Sequence, residues 1–319
     1  MNHGTVSPEI AKGLLAIHER IAASNIPSSK LDESINIATW NIREFGKKQR
    51  SVAAIHYIAE ILGQFDLIGV VELRDNLKDL GRALEILGPY WRAVYSDMIP
   101  DAGGNRERIA FVYDKRAVVF NGLAAEANEP RKKKGFEYLP ESSFWRSPYM
   151  ASFKSGNFDF VALTTHIRWG EGEEPRRQEL ERLADWIEAK RQEEHREDKD
   201  MIVMGDFNIP SKTSPLFKAI TKHGLKIPTA LAGLEHGSNL EKDKRYDQIL
   251  HYSDYPDNFT NKGGILDFYI DASHIKELFP GMNKTDFTFQ MSDHLPLWMQ
   301  MNTDIDGFKL EQIVQGSKE

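Results

Sequence analysis

Short apolar segments alternate with amphipathic segments along the first third of the chain, and this alternation limits the folds that the sequence can adopt. The apolar segments predict strands at residues 35–40, 66–73 and 91–96, and the amphipathic segments predict helices at 51–62 and 77–87. A middle region of paired, hairpin-like strands follows, and then one long helix and three more strands: 108–114, 117–120, 149–154, 158–166, 175–194, 200–206, 245–252 and 295–301. This order predicts an α/β sandwich of mixed sheets.

The first 25 residues predict a helix that precedes the alternating region. Ser7 suits the helix cap and Pro8 suits the first helical position. The apolar residues share one face: Ile10, Leu14, Ile17 and Ile21. This stripe favours packing on the main body, and binding of a partner is the alternative. We expect residues 1–34 to form this helix and a linker, 35–302 the main domain, and 303–319 a peripheral polar tail, with a long surface loop at 126–143.

The composition excludes several classes of function. The chain has 41 Lys and Arg against 48 Asp and Glu, a net charge of -7, which argues against a polybasic protein that binds by wholesale phosphate neutralisation. A local basic groove remains compatible with this balance. The sequence contains no cysteine, so disulfides, zinc-thiolate sites and thiol nucleophiles are excluded.

Neither a membrane span nor a secretory leader is evident in the sequence. A bilayer crossing needs about 18 consecutive apolar residues, and the longest apolar run near the start is LLAI at residues 14–17. We therefore expect a cytoplasmic location, and removal of a leader is the alternative.

Polar residues repeatedly border the apolar strand segments. The clearest case is GDFN at 205–208, where a buried strand stops at a glycine, an aspartate and an asparagine. The full set is Asn41, Glu72, His166, Asp206, Asn208, Asp247, Asp293 and His294. Turn or cap roles would explain any one of these residues. They do not explain the repetition or the two histidines, so the set indicates a functional site.

The residue types indicate metal-assisted chemistry on a phosphate. The amide and carboxylate oxygens suit a hard cation such as Mg²⁺ or Mn²⁺, with these ligands predicted: Asn41, Glu72, Asp206, Asn208 and Asp293. Mg²⁺ commonly keeps waters and a substrate phosphate in its shell. Two histidines beside such an ion suit a general acid and base, or donors to a phosphate oxygen. One or two ions fit the same ligands, and neither histidine is assigned as the base.

Six motifs, in order, resemble those of the endonuclease/exonuclease/phosphatase superfamily, and most closely its deoxyribonuclease I branch: ATWNI, VVELRD, THIRWG, GDFN, YDQIL and SDHLPL. The resemblance runs from about residue 35 to about residue 300. It implies a four-layer αββα sandwich, two mixed β-sheets flanked by helices, with the site at one edge.

The resemblance also implies an activity. It points to a divalent-metal-dependent nuclease that cuts phosphodiester bonds of DNA internally and with low sequence specificity, with RNA left open. Mg²⁺ is the expected cofactor, Mn²⁺ would substitute for it, and Ca²⁺ is a further candidate. The alternative is a phosphatase or phospholipase-like hydrolase of the same superfamily, acting on an inositol phosphate or sphingomyelin. A non-catalytic binding module is disfavoured because every motif residue is present.

Roles for individual residues follow from the resemblance. It implies a catalytic group of His166, His294, Asp206 and Asn208. Glu107 would orient His166, and Asp247 would orient His294. The implied contacts to substrate phosphate are Arg74, Arg146 and Asn208. For Arg74 the alternative is an exposed ion pair with a neighbour such as Asp75.

Two further features bear on nucleic-acid binding. Asn105 stands where the deoxyribonuclease I branch has a tyrosine that reaches the DNA minor groove. The implied contact with the minor groove is therefore expected to differ. The basic run RKKK at 131–134 either follows a nucleic-acid backbone or is a solvated charge run.

Overall fold

Two mixed sheets pack face to face. The structure is a computed structural model, and it describes residues 1–98, 106–129, 133–138, 144–170, 172–253 and 258–316. In spatial order, the first sheet contains β12 (Phe259–Ile265), β13 (Leu297–Asn302), β1 (Ser34–Phe45), β2 (Leu67–Leu73), β4 (Arg108–Asp114) and β3 (Trp91–Tyr95). The second contains β11 (Asp247–Tyr252), β10 (Met201–Asp206), β9 (Phe158–His166), β8 (Tyr149–Ser155) and β5 (Val119–Glu126). A separate two-stranded ribbon consists of β6 (Lys133–Lys134) and β7 (Glu137–Tyr138).

Helices cover both outer surfaces of the two sheets. Their bounds are α1 (Pro8–Ala23), α2 (Val52–Leu62), α3 (Lys78–Leu87), α4 (Glu174–Arg191), α5 (Pro215–Ile220), α6 (Thr229–Ala232), α7 (Ala272–Leu278), α8 (Lys284–Gln290) and α9 (Asp306–Gly316). One apolar cluster packs α1, α2, α3, α7 and α8 on the first sheet, and another packs α4 and α5 on the second. Between the sheets lies a third cluster, which includes Ile37, Phe111, Phe153 and Met204. The predicted αββα sandwich is confirmed.

Strand direction brings the polar residues to one edge of the sandwich. In the first sheet β1 and β2 run parallel, and β13 runs antiparallel to β1. In the second sheet β9 and β10 run parallel, and β11 runs antiparallel to β10. The last residues of β1, β2, β9 and β10 therefore share an edge with the first residues of β11 and β13.

Gly205 is required by a close approach between two strands. It lies beside Thr165 in the parallel β9–β10 pair and has a φ of 132°. A Cβ atom at this position would lie 2.0 Å from the carbonyl oxygen of Thr165. Because no side chain fits there and this φ favours glycine, the glycine lets β10 continue in register as far as Asp206.

The N-terminal helix packs on the main body. The side chain of Ser7 accepts a hydrogen bond from the backbone N–H of Ile10 at 3.4 Å and caps α1. Leu14 and Ile17 are buried in the cluster that contains α2 and α3. A Cβ atom on Gly13 would lie 1.8 Å from the hydroxyl oxygen of Tyr57, so this glycine permits the close approach of α1 to α2.

Several predicted elements differ from the structure. The strand predicted at 117–120 is wrong in its bounds, because Ala117 and Val118 donate backbone hydrogen bonds to the carbonyl oxygen of Asp114 in a turn and β5 starts at Val119. The loop predicted at 126–143 contains the β6–β7 ribbon. In the tail, α9 buries none of its residues, but Ile305 just before it is buried. The predicted domain boundaries stay predictions.

No helix in the described part of the chain is both long enough and apolar enough to cross a membrane.

Candidate active site

An amide and two carboxylates meet where the ends of the two sheets adjoin. Nδ2 of Asn41, from β1, donates hydrogen bonds to Oε1 of Glu72 and to Oδ2 of Asp206, both at 3.1 Å. Glu72 comes from β2 and Asp206 from β10, so the three residues connect the sheets. The structure thus brings together three of the predicted ligands.

Glu72 is held in an unusual backbone conformation. Its φ is 63°, in the left-handed region that side chains rarely adopt, at a register shift between β1 and β2. Oε2 of Glu72 accepts a hydrogen bond from the backbone N–H of Glu44 at 2.8 Å, and Glu44 itself has a φ of 47°. Strain of this kind persists where the surrounding structure fixes it, and it concentrates at functional sites.

Two histidines, one from each sheet, face the same aspartate oxygen. Nε2 of His166 and Nε2 of His294 are each 3.8 Å from Oδ2 of Asp206. His166 is the last residue of β9, and His294 lies just before β13 in the other sheet. Each sheet therefore contributes one imidazole to the surroundings of the central carboxylate.

Each histidine is oriented by a second carboxylate on its other ring nitrogen. Nδ1 of His166 donates to Oε2 of Glu107 at 2.8 Å, and Nδ1 of His294 donates to Oδ2 of Asp247 at 2.7 Å. These contacts fix the rings and leave both Nε2 atoms facing Asp206. A carboxylate–histidine pair of this kind supports an imidazolium.

The charges in these pairs shift their pKa values. Burial opposes ionisation of Glu107, but the charges of His166 and Arg146 and, to a smaller extent, Arg74 outweigh it and hold the pKa of Glu107 at about 2. Burial likewise opposes a charge on His294. The surrounding carboxylates of Asp247, Asp206 and Asp293 outweigh it and raise the pKa of His294 to about 10.

Asn208 follows Asp206 in a left-handed conformation, with a φ of 51°. Its backbone N–H donates to Oδ1 of Asp206 at 2.9 Å, and its Nδ2 donates to the carbonyl oxygen of Ile167 at 2.7 Å. The spacing of GDFN thus lets Asn208 fix one oxygen of the central aspartate and tie the end of β10 to the end of β9.

Asp293 lies at the more exposed side of the site. Its side chain is 45% exposed, and its Oδ2 lies 3.8 Å from Nη1 of Arg43. Partial desolvation, together with the charge of Glu72, raises the pKa of Asp293. The role of Asp293 as a ligand stays a prediction.

The donor set fits a divalent cation. Oδ1 of Asn41 is buried and accepts no hydrogen bond from the residues that the structure describes, although it belongs to the Asn41–Glu72–Asp206 cluster. Asp206, Asp247 and His294 each offer a ligand atom within 4.8 Å of the others. An unpartnered oxygen beside several carboxylates is a favourable place for a cation, because a positive charge relieves both the missing bond and the repulsion.

The two predicted phosphate contacts, Arg74 and Arg146, are buried beneath the site. Nε and Nη2 of Arg146 contact the two oxygens of Glu107 at 2.9 and 3.1 Å. Arg74 is 4% exposed, and its Nη2 contacts Oε1 of Glu44 at 3.2 Å. The alternative of an exposed ion pair for Arg74 is therefore wrong. The phosphate roles of both arginines stay predictions, and the structure shows them pairing with the site's carboxylates.

Two other predictions concern residues that the structure describes only in part. Asn105, in the position of the groove-contacting tyrosine, lies outside the described residues, as do residues 131 and 132 of the basic run. Lys133 and Lys134 form β6.

Ser292 and Glu44 belong to the site, but the sequence motifs did not lead us to predict them. Oγ of Ser292 donates to the carbonyl oxygen of Asn41 at 2.6 Å and accepts from the backbone N–H of His294 at 3.0 Å. It thereby joins β1 to the loop before β13. The serine lies in the SDHLPL motif, which was the available signal. No sequence signal identifies Glu44, because its role depends on a left-handed backbone conformation.

Comparison with known proteins identifies the family of this chain. The model of the Endonuclease/Exonuclease/phosphatase family matches residues 38–263. A deoxyribonuclease from Thioalkalivibrio sp. (strain K90mix) is 28% identical over 295 residues, which cover 86% of this chain and 72% of that protein.

Solved structures show the same fold at lower identity. An endonuclease/exonuclease/phosphatase family protein from Bacteroides thetaiotaomicron superposes with a TM-score of 0.56 at 16% identity, covering 86% of this chain and 99% of that one. The mannosyl-6-phosphatase of the same organism gives 0.54 at 16% identity over 84% of this chain and 99% of that one. Since the family model matches well over half of the chain, this protein belongs to the endonuclease/exonuclease/phosphatase family of hydrolases.

Proposed function

We propose that this protein is a divalent-metal-dependent nuclease that hydrolyses phosphodiester bonds of DNA. The observation that carries the proposal is the convergence of two carboxylate–histidine pairs on one oxygen of Asp206, with Nε2 of His166 and of His294 each 3.8 Å away. Phosphodiester hydrolysis needs a proton acceptor for the attacking water and a proton donor or positive charge on the phosphate side.

The chain's own residues divide this chemistry between them. A water attacks phosphorus, the bond from phosphorus to the leaving oxygen breaks, and that oxygen takes up a proton. His166 and His294 share the proton transfer and the stabilisation of the phosphate oxygens. Glu107 and Asp247 keep the two rings in place and stabilise their charged forms.

The oxygen cluster would hold the cation. Enzymes of this family generally use divalent metals, and Asn41, Glu72 and Asp206 are the residues that would bind one here. The bound ion would neutralise charge on the phosphate and lower the pKa of a bound water. Mg²⁺ fits the donor set, because its ligands are oxygens.

The choice of DNA as substrate is supported by the Thioalkalivibrio relative, which is named a deoxyribonuclease and aligns over most of both chains. The likeness to a mannosyl-6-phosphatase, at 16% identity, reflects the shared fold. Phosphatase activity is therefore the competing outcome in the test.

The test is an activity panel with a matched inactive protein. Wild type and Asp206→Asn, purified identically, are incubated with covalently closed plasmid, linear duplex DNA, single-stranded DNA, RNA, an inositol phosphate and mannose 6-phosphate. Each reaction contains Mg²⁺ or EDTA. We expect wild type to nick the closed plasmid in the presence of Mg²⁺. We expect no nicking by wild type in EDTA and none by Asp206→Asn. Release of phosphate from the monoesters with intact nucleic acids would overturn the proposal.

A further inference from the structure

Two exposed tryptophans lie beside the candidate catalytic residues. Trp169 is 59% exposed and follows His166 by three positions on the loop after β9. Trp145 is 46% exposed and directly precedes Arg146. Large exposed aromatic side chains near a polar site need a physical explanation, because covering their apolar surface would lower the free energy.

The rings form a continuous path from the site to solvent. The ring of Trp169 meets the ring of Tyr246 nearly edge-on, with centroids 5.5 Å apart and an interplanar angle of 80°. The ring of Tyr246 lies 5.9 Å from the imidazole of His294. A group that covers Trp169 would therefore lie a short distance from the place where the reaction occurs.

Guanidinium groups accompany both tryptophans. Cζ of Arg176 lies 4.5 Å from the ring centroid of Trp169, and Cζ of Arg168 lies 4.1 Å from that of Trp145. Nη1 of Arg176 also donates to the carbonyl oxygen of Asn208 at 3.0 Å, which fixes this arginine to the end of β10. We call the set of Trp145, Arg168, Trp169, Arg176 and Tyr246 the aromatic platform.

We propose that the aromatic platform binds unpaired bases of a nucleic-acid strand next to the phosphate that is cut. This inference rests on the proposed nuclease function. Aromatic side chains stack on bases of any sequence, while nearby arginines contact the backbone. A strand alternates flat apolar bases with anionic phosphates, and the platform offers both aromatic rings and guanidinium groups, one over each tryptophan.

The chemistry distinguishes this occupant from others. An inositol phosphate carries the charge but has no aromatic face for Trp169. Bases within an intact duplex are already stacked on each other, so their faces are covered. The platform therefore favours single-stranded or locally unpaired nucleic acid over an intact duplex of the same length.

The test measures binding without cleavage. In the Asp206→Asn background, fluorescence anisotropy gives Kd values for oligo(dT), oligo(rU), a duplex of the same length, and a single strand made of abasic residues. Trp169→Ala should weaken binding of oligo(dT) about tenfold, within the range for one stacked base. It should change binding of the duplex and of the abasic strand by less than about twofold, because neither offers a free base.

Matched variants make the result decisive. Tyr90 is 48% exposed and has Arg116 over its ring, with Cζ 4.8 Å from the centroid, so Tyr90→Ala removes a similar exposed pair outside the site and should change nothing. Trp169→Phe keeps a stacking face and should retain most of the affinity. Circular dichroism checks that each variant is folded.

Each failure has a distinct meaning. Equal weakening for oligo(dT) and the abasic strand would overturn base stacking, and so would no weakening with Trp169→Ala. Weakening by Trp169→Ala of oligo(dT) or of oligo(rU), with the abasic strand unchanged, would support it. If wild type instead cut no nucleic acid in the activity panel, the proposed function itself would fail, independently of Trp169.

Discussion

Nδ2 of Asn41 donates a hydrogen bond to Oδ2 of Asp206 at 3.1 Å, and this bond joins the first sheet to the second. Asn41 lies within β1, and Asp206 is the last residue of β10. The site thus depends on the packing of the two sheets against each other. A side chain that positions a carboxylate from the opposite sheet is expected to affect both activity and cation binding.

Asn41→Ala is expected to lower the turnover of plasmid nicking by about a hundredfold, because it removes both the donor to Glu72 and Asp206 and a candidate ligand oxygen. Nicking rates over a range of Mg²⁺ concentrations check this. Asn121→Ala is the control, since Asn121 is an exposed asparagine of β5. Normal turnover by Asn41→Ala would show that the site forms without the bond between the sheets.

Glu72→Gln keeps the shape of the side chain and removes its charge. We expect turnover to fall by about a hundredfold or more and the Mg²⁺ concentration at half-maximal rate to rise, since a ligand carboxylate contributes most through charge. Glu85→Gln, an exposed change on α3, is the matched control. Unchanged Mg²⁺ dependence would remove Glu72 from the ligand set.

Glu107 and His166 are expected to act as one unit, because Nδ1 of His166 donates to Glu107 at 2.8 Å. His166→Ala should cost about a hundredfold or more in kcat, the usual range for a positioned proton-transfer group. Glu107→Gln should cost less, and adding it to His166→Ala should have little further effect. The same double-mutant cycle with Asp247→Asn and His294→Ala tests the second pair. Multiplicative losses would mean that the partners act separately.

Arg74→Ala is expected to lower hydrolysis of both plasmid DNA and a small phosphodiester by about tenfold or more. The reason is that Arg74 is buried beside three carboxylates, those of Glu44, Glu72 and Glu107, and its loss removes a positive charge that helps to balance theirs. Arg74→Lys should restore part of the activity, because it keeps the charge. A loss confined to DNA would instead support the predicted contact with a flanking phosphate.

His251 provides a pH test of stability away from the site. Burial, assisted by the charge of Lys226, lowers the pKa of His251 to about 4, below the ordinary value for histidine. Between about pH 6.5 and pH 4 the unfolded chain therefore takes up a proton that the folded chain does not. Stability from this residue is present at neutral pH and falls as the pH is lowered through that window.

His251→Phe should remove this part of the pH dependence. Phenylalanine fits the apolar contact with Phe259, whose ring centroid lies 3.6 Å from that of His251. Urea unfolding gives the free energy of unfolding at pH 7 and at pH 4.5. Between these two pH values, the free energy of unfolding of wild type should fall by about 2 kcal/mol more than that of the variant. Parallel losses in the two proteins would show that His251 titrates normally.

The sequence by itself determined the layer architecture and most of the candidate site. Long apolar segments such as 66–73 and 158–166 form strands because burial on both faces favours them, and the motif residues at their ends identified Glu72, His166 and Asp206. The cap at Ser7 and the stripe through Leu14 and Ile17 likewise specify α1, because the signals are local.

Only the tertiary structure decided the rest, because the deciding contacts join segments far apart in the chain. The strand β12, FTNKGGI, has little apolar pattern and forms by pairing with β13. The burial of Arg74 depends on the left-handed backbone of Glu44 and on the carboxylate of Glu107, which directly precedes β4. The contact of Trp169 with Tyr246 likewise requires β9 and β11 to flank β10. Local sequence patterns encode the preference of a segment for helix or strand, whereas sheet order and packing determine which side chains meet.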